Sequence, residues 1–477
     1  MAIPFPDQPT PTTARVYREE LIRQTMDYKK VYFIGIGGIG MSGLAQLLVQ
    51  QGKQVSGSDR EESPTTEMLA RKGISVTIGQ TADNVALDTD LVIYSDAVYA
   101  DNPERMRAAD MGIPQYSYFE ALGEVSRSMR TIAVAGTHGK TTTTGMLAKM
   151  LSDAAVEPTA IIGSIVRDFE SNYLPGRPDL FVVEACEYRD HILKLSPEIL
   201  VITNVELDHT DYFPDLAALQ ETFRIAAEKV PSFAQASEGG PAQGGVIVTN
   251  PSDPNIAPIL QNVTAKVIDY TQVHTPTLQL IGEFNRENAQ AAKAAALAAF
   301  PDLDERTIDE SLSSYRGAWR RFEYRGKTPS GALVYDDYAH HPTAIMKTIE
   351  AARARFPGKK IVVAFHPHLY SRTKSLIHEF AAALATADFA IVAPIYAARE
   401  ALDPTVSNHI LAKLINSTMR QGYKSDLCLG TSLTCAPAIA IDSFDEIRDR
   451  LLQEGEDALI ITMGAGDIYK VAQQIAD

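Results

Sequence analysis

With 477 residues, and about 150 per domain as the usual scale, the chain has room for three domains. Its 45% hydrophobic and 22% charged content are those of an ordinary globular protein. A net charge of −16 argues against nucleic acid as a main partner, and no apolar run approaches the ~18–20 residues of a membrane span.

Residues 1–29 read as a loose arm followed by a short helix, with early prolines and acids unlike those of a secretory signal. Cys186, Cys428 and Cys435 cannot all pair and lack zinc-ligand spacing, which fits a reducing cytoplasm. Lys30 to Gly35 reads as a strand, and Gly35-Ile36-Gly37-Gly38-Ile39-Gly40 opens a helix from Met41 to Gln51. The next strand, Gln54 to Gly57, runs into Ser58-Asp59. Strand, G-x-G-x-x-G, helix and an acid about 20 residues on form a dinucleotide-type fingerprint. Alternation continues through a strand from Asp90 to Ser95 and a helix near Asn102 to Met111, up to a boundary near Gly123 to Arg130.

RTIAVAGTHGKTTTTGML, from Arg130 to Leu147, organises the centre of the chain. An apolar strand from Thr131 to Ala135 breaks at Gly136, and an amphipathic helix follows Lys140 and its four threonines. Such a loop points N–H groups and a helix N-terminus at an anion, with a lysine for outer phosphates and a hydroxyl for Mg²⁺. The usual pattern would also place a glycine at Val134, so this loop is one turn short. The stretch is expected to bind a nucleoside triphosphate.

Further apolar runs lie at Phe181 to Val183, Leu200 to Thr203 and Gly245 to Thr249. Between the last two, Ser232 to Gly245 is low in complexity and reads as a surface loop. An alanine-rich helix from Asn285 to Phe300 closes this unit. A third alternating unit begins near Gly317, with strands at Ala332 to Tyr335, Lys360 to Phe365, Phe389 to Ala393 and Ala458 to Met463, and helices at Thr343 to Arg355 and Ser375 to Thr386. Strands alternating with helices three times over predict an α/β protein with mainly parallel sheets.

Chemistry-bearing side chains cluster at strand ends, where open α/β sheets bind ligands. They include His138, His209, His340-His341, and His366 with His368. Glu184 ends one strand, with Glu187 close behind, and Asp208-His209 ends another. Mg²⁺ prefers oxygen ligands, so Thr141 and Glu184 are its natural pair, with His209 for a second ion. Cys186 reads as inert. Arg320-Arg321 precede a strand ending in Asp336-Asp337, and HPHLYSRTK spans His366 to Lys374. Lys140, Arg321, Arg372 and Lys374 are the cations expected to offset an anionic substrate in so acidic a chain.

In their order, FIGIGGIGMSGLA, SGSD, AGTHGKTTTT, VEACEY, TNVELDHTDYF, RRFEY, DDYAHHPTAI, HPHLYSRTK, IYAARE and MGAGDIYK resemble segments of the Mur ligases of peptidoglycan synthesis. The resemblance covers nearly the whole chain. It implies three domains: 1–126, Rossmann-like and UDP-sugar-binding; 127–316, a P-loop ATPase type; and 317–477, Rossmann-like, closing over the site and holding the amino acid. It implies a reaction in which ATP phosphorylates the lactyl carboxylate of UDP-N-acetylmuramate and the amine of L-alanine attacks the acyl phosphate, with Mg²⁺ as cofactor. Carried over by motif, the ATP-binding set is Gly136, Thr137, His138, Gly139, Lys140, Thr141, Thr142, Asn285, Asn288, Arg321 and Asp337. Thr141, Glu184 and His209 would bind metal. Gly37, Gly38, Ile39, Gly40, Asp59 and Ser95 would face the UDP-sugar. Tyr338, His368 and Arg372 would lie toward the amino acid and acyl phosphate, and His341 joins Lys140, Glu184, His209 and Arg321 as catalytic. The chain is read as a monomer or weak homodimer, without membrane or nucleic-acid partners.

Three positions depart from the family pattern: Phe284 replaces a histidine, Asp96 follows Ser95 where a serine is common, and Leu369 replaces a basic residue. Asp96 is expected to point away from a diphosphate or to take a cation. The competing readings are a ligase that recycles an intact tripeptide onto the same UDP-sugar, an NAD-dependent oxidoreductase, and a triphosphate-driven switch.

Overall fold

The computed structural model describes residues 28–232, 244–398, 400–422 and 438–476. The expected arm up to residue 27, the low-complexity stretch from 233 to 243, and Cys428 and Cys435 lie outside the described residues.

Each of three sheets forms around strands too apolar to face water. The first orders β3-β2-β1-β4-β5, with β1 (Lys30–Ile34), β2 (Gln54–Asp59), β3 (Ser75–Ile78), β4 (Leu91–Tyr94) and β5 (Gln115–Ser117), all parallel. The second orders β12-β11-β10-β6-β9-β7-β8. Its strands are β6 (Arg130–Ala135), β7 (Thr159–Val166), β8 (Ser171–Leu174), β9 (Leu180–Glu184), β10 (Ile199–Ile202), β11 (Val246–Thr249) and β12 (Lys266–Asp269). The third orders β13-β14-β18-β15-β16-β17, from β13 (Glu323–Lys327), β14 (Leu333–Asp337), β15 (Lys360–Phe365), β16 (Phe389–Val392), β17 (Ala438–Ala440) and β18 (Ala458–Met463). Among the described strands only the β7–β8 and β13–β14 pairs are antiparallel, so the expected α/β class with mainly parallel sheets is observed.

The central strands β10 and β18 are buried along their whole length, as strands covered on both faces must be. Helix Lys140–Asp153 is likewise buried from Thr141 to Leu151. Its Met146, Leu147, Met150 and Leu151 join one core with Ala291, Ala292 and Ala295 of helix Glu283–Ala299. Full burial of each large side chain contributes roughly 1.5–3 kcal/mol. The small alanines let the second helix approach closely, which brings Asn285 and Asn288 to the loop before Lys140. Strands β3, β5, β7, β8, β12, β13 and β17 escaped the pattern reading. β12 is largely exposed, and β7–β8 is a hairpin whose apolar run is broken by Gly163, Ser164 and polar 167–172. The expected helix Ser375 to Thr386 is observed as Ile377–Leu384, preceded by a short helix, Tyr370–Ser375, that meets it at Leu376.

The domains are joined by specific contacts. Helix Ile39–Gln50 shares a core with β7 and β8 through Leu44, Ile161 and Tyr173, and the Asn172 amide donates to the Ile39 carbonyl at 2.5 Å. Trp319 N donates to Ile165 O at 2.8 Å and Ser164 Oγ to Trp319 O at 3.0 Å, tying the third unit to β7.

Candidate active site

Strand order decides where the site falls. β6 lies between β9 and β10, with Val134 opposite Glu184 and Ala135 opposite Ile202, so the three strand ends converge. The loop after β6 turns through Gly136 (φ +129°) and Gly139 (φ +84°), a left-handed region that side chains disfavour. A Cβ on Gly139 would lie 2.1 Å from Asn288 Oδ1, and one on Gly136 2.1 Å from Thr203 Oγ1. The loop is therefore pressed against its neighbours as well as bent. Thr137 N donates to Asn204 O at 3.0 Å, His138 N to Asn204 Oδ1 at 2.9 Å, and Thr137 Oγ1 to Glu206 O at 2.9 Å.

Lys140 opens its helix with its ammonium between Oε1 (3.0 Å) and Oε2 (2.9 Å) of Glu187, a fully buried carboxylate. His209 Nε2 is 3.6 Å from the same carboxylate. Burial alone would favour neutral forms, yet each charge sustains the other: the ammonium is held above its ordinary range and the carboxylate below its own. Sequence reasoning noticed Glu187 without assigning it a role. Its signal is the second acid of VEACEY, one short turn past the strand end.

Thr141 Oγ1 donates to Glu184 Oε1 at 3.1 Å and accepts from Arg321 at 3.0 Å, while Gly163 N donates to Glu184 Oε2 at 2.8 Å. The Thr141 hydroxyl and Glu184 carboxylate thus put hard oxygen donors side by side on the cleft wall, a donor set that suits Mg²⁺. The two adjacent arginines diverge. Arg320 is buried, bonded to Asp336 at 2.7 Å and to the carbonyls of Gly464 and Gly466. Arg321 reaches across to Thr141, with its guanidinium 5.0 Å from the Tyr338 ring centre. Asp337 accepts from Phe322 N at 2.8 Å and Ala339 N at 2.7 Å, and burial pushes its carboxyl up to about 6 despite Arg321 nearby.

These groups line one cleft of about 550 Å³ between the second and third sheets. Thr137 to Thr142, Glu184, His209, Asn285, Asn288, Arg321, Asp337, Tyr338 and His341 all border it, and Ile39 brings the first unit to its rim. Phe284 borders it too and also walls an adjoining groove with Gly282, Lys347 and Arg355. Cys186 is half-buried in the cleft wall, and its thiol is pushed up to about 12 by desolvation and Glu187, so it stays protonated. Its nearest influential cation is Lys140.

Other expected residues fall elsewhere. Gly37 N donates to Asp59 Oδ2 at 2.8 Å, and Gly35 (φ +81°) packs under Ser95, so Gly37, Gly38, Gly40, Asp59 and Ser95 gather at the carboxyl edge of the first sheet. Asp96 Oδ2 lies 2.7 Å from Nε2 of His191 in the second unit. Arg372 is buried and pairs with Asp208 at 2.7 Å across the domain junction, and also contacts His368 Nδ1 at 3.2 Å. His368 in turn stacks on Tyr396. Lys374 does not join the site: it pairs with Asp403 on the surface, because its helix turns it outward. Leu369 is buried with φ +69°, its N–H donating to Tyr396 O at 2.9 Å. Glu206 was not foreseen. It accepts from Thr343 Oγ1 at 2.6 Å and stands near His138 and His341; burial opposes its charge, but these neighbours hold it down to about 2.

A triphosphate-type loop whose Thr141 is met by an arginine from a third α/β unit, with a glycine-loop domain at the rim, is the arrangement of a ligase that activates with a nucleotide. The chain belongs to the Mur ligase family: residues 30–130 match its catalytic domain, 134–296 its middle domain and 320–466 its glutamate ligase domain. It is similar to the UDP-N-acetylmuramate–L-alanine ligase of Lachnospira eligens, at 36% identity covering 93% of this chain and 97% of the relative. The enzyme of the same name from Clostridium novyi is also 36% identical, covering 94% and 97%. Among solved structures, the UDP-N-acetylmuramate-alanine ligase of Thermotoga maritima superposes with a TM-score of 0.72 at 27% identity, covering 94% of this chain and 98% of that one. A murein peptide ligase of Psychrobacter arcticus shares the fold, with a TM-score of 0.66 at 22% identity and 94% and 98% coverage. Among the described residues no helix is long and apolar enough to cross a membrane.

Proposed function

We infer that this chain joins L-alanine to the lactyl carboxylate of UDP-N-acetylmuramate at the expense of ATP, as its relatives' names state for them. The observation that carries the reading is the meeting of Lys140, Thr141, Glu184 and Arg321 in one cleft, with Asp337 at its edge.

Phosphoryl transfer between two anions needs positioning and charge neutralisation more than covalent help. Lys140 is the group for the outer phosphates, exchanging Glu187 for the nucleotide. Arg321, aimed at Thr141 by the two backbone bonds that Asp337 accepts around it, is placed for the phosphoryl group in transit. Asn285 and Asn288, packed on the loop, and Phe284 beside them are the groups for the nucleotide. Thr141 and Glu184, with His209 as a further ligand, would hold Mg²⁺, which when bound neutralises phosphate charge. The glycine loop at Gly37 to Gly40, with Asp59 and Ser95, is assigned to the UDP-sugar, and Tyr338 and His341 to the side where the amine enters. His368 and Arg372 serve that side indirectly, by holding Asp208 and the domain junction. Residues 1–126, 127–316 and 317–477 are the proposed domain limits, and the cytoplasm the proposed compartment.

The test is phosphate release with UDP-N-acetylmuramate and a panel of alanine, serine, glycine and the intact tripeptide. Release that requires both co-substrates and is fastest with alanine supports the assignment. Release without the UDP-sugar, or a preference for the tripeptide, overturns it.

A further inference from the structure

We propose that His138, Glu206 and His341 form a second metal site, for a borderline transition ion such as Zn²⁺, that bridges the middle and C-terminal units. It is separate from the oxygen-rich Thr141–Glu184 pair. His138 belongs to the loop after β6 and Glu206 follows β10, while His341 caps helix Pro342–Arg355 of the third unit. One donor atom from each lies within 4.8 Å of the others. His138 Nε2 is 3.4 Å and His341 Nδ1 3.9 Å from Glu206 Oε2. Bonds of ~2.0–2.1 Å to a tetrahedral zinc would set its ligand atoms about 3.4 Å apart, so the spacing needs only small side-chain adjustments.

Two further features point to an ion. His138 Nε2 is buried and makes no well-aligned hydrogen bond, its polar neighbour being the Glu206 carboxylate. His341 Nε2 faces the Leu207 carbonyl at 3.2 Å, which fixes the proton there and leaves the Nδ1 lone pair toward Glu206. Nδ1 has one weak competitor, the Thr343 amide at 3.4 Å. Thr343 Oγ1 also orients the carboxylate, at 2.6 Å from Oε2. Two imidazoles and a carboxylate are a zinc donor set, whereas Mg²⁺ prefers oxygen alone. Both histidines border the cleft, which leaves a fourth position for water. Occupancy would pin the two units in the arrangement seen here.

The experiment uses the full chain, stripped by a chelator and titrated with Co²⁺ by visible absorption and with Zn²⁺ by calorimetry. Expected are one equivalent of Co²⁺ with the intense bands of four-coordinate cobalt, no sulfur charge-transfer band, and a Zn²⁺-dependent rise in melting temperature. Glu206→Gln and His138→Gln should each weaken binding at least about tenfold, while their metal-free melting curves establish that they fold. Weak six-coordinate bands, a thiolate band, or binding lost in Glu184→Gln and kept in Glu206→Gln would overturn the proposal.

Discussion

Lys140 and Glu187 show how one residue can be legible and its partner not. A lysine after a glycine loop is predictable from spacing. The carboxylate that neutralises it comes 47 positions later and is found only once β6 and β9 are paired. Removing one member of a buried pair leaves the other uncompensated, at a cost of about 3–5 kcal/mol. Lys140→Ala should therefore lower turnover by at least about 10²–10³-fold and also destabilise the fold, with UDP-sugar affinity little changed. Adding Glu187→Gln should recover much of the stability and none of the turnover. A double-mutant cycle by urea unfolding reads this directly, and additive losses would contradict the pairing. Phe284 is a second single-residue case. It borders the cleft where a polar contact to the nucleotide is possible, so Phe284→His should lower the KM for ATP. An unchanged KM would remove that reading.

At the scale of elements, the loop after β6 was readable because its physical demands are local: a buried strand, glycines at the turns and a helix start. What was not local was not readable. Glu206 and Asp208 sit in NVELDH as ordinary strand-end acids until the third unit brings His341 and Arg372 against them. Leu369 occupies a left-handed conformation that no propensity suggests, and it is held there by burial and the bond to Tyr396. The hairpin β7–β8 was missed because Ile161 and Tyr173 find their core partners in helix Ile39–Gln50, a tertiary neighbour. The glycine loop itself is tightly constrained. Gly139→Ala adds both a disfavoured φ and a 2.1 Å contact with Asn288. It should weaken ATP binding at least about tenfold, equivalent to the ~1.4 kcal/mol of modest strain. The first sheet and its UDP-sugar affinity should be untouched, and equal losses for both ligands in calorimetry would contradict the division of labour.

Across the whole molecule, the units meet through polar pairs largely withdrawn from water, Arg372 with Asp208 and Asp96 with His191, and Asp337 lies beside Arg321 where the third unit borders the cleft. Asp337 gives the third unit's side of the cleft a pH signature. Its folded-state value of about 6 lies above the ~3.9 of an unfolded aspartate, so the folded chain retains a proton that the unfolded chain releases. Its contribution is therefore most favourable below about pH 4 and is lost as pH rises through 6, on the order of 1–3 kcal/mol. Unfolding of the wild type and Asp337→Asn, compared from pH 4 to 7, should show the stability difference shifting toward the asparagine variant. Parallel curves would refute it.

The carboxylate on Lys140 also changes what binding means for so acidic a protein. The cleft does not wait as a bare positive hole in a negative surface. It carries its own internal counter-ion, and under the proposed function an arriving triphosphate would take that place by exchange. The ammonium is largely enclosed, with both carboxylate oxygens of Glu187 on it, so any anion must displace that carboxylate to reach it. Under that reading, selectivity for a polyphosphate would be set in part by a competitor that the chain supplies itself.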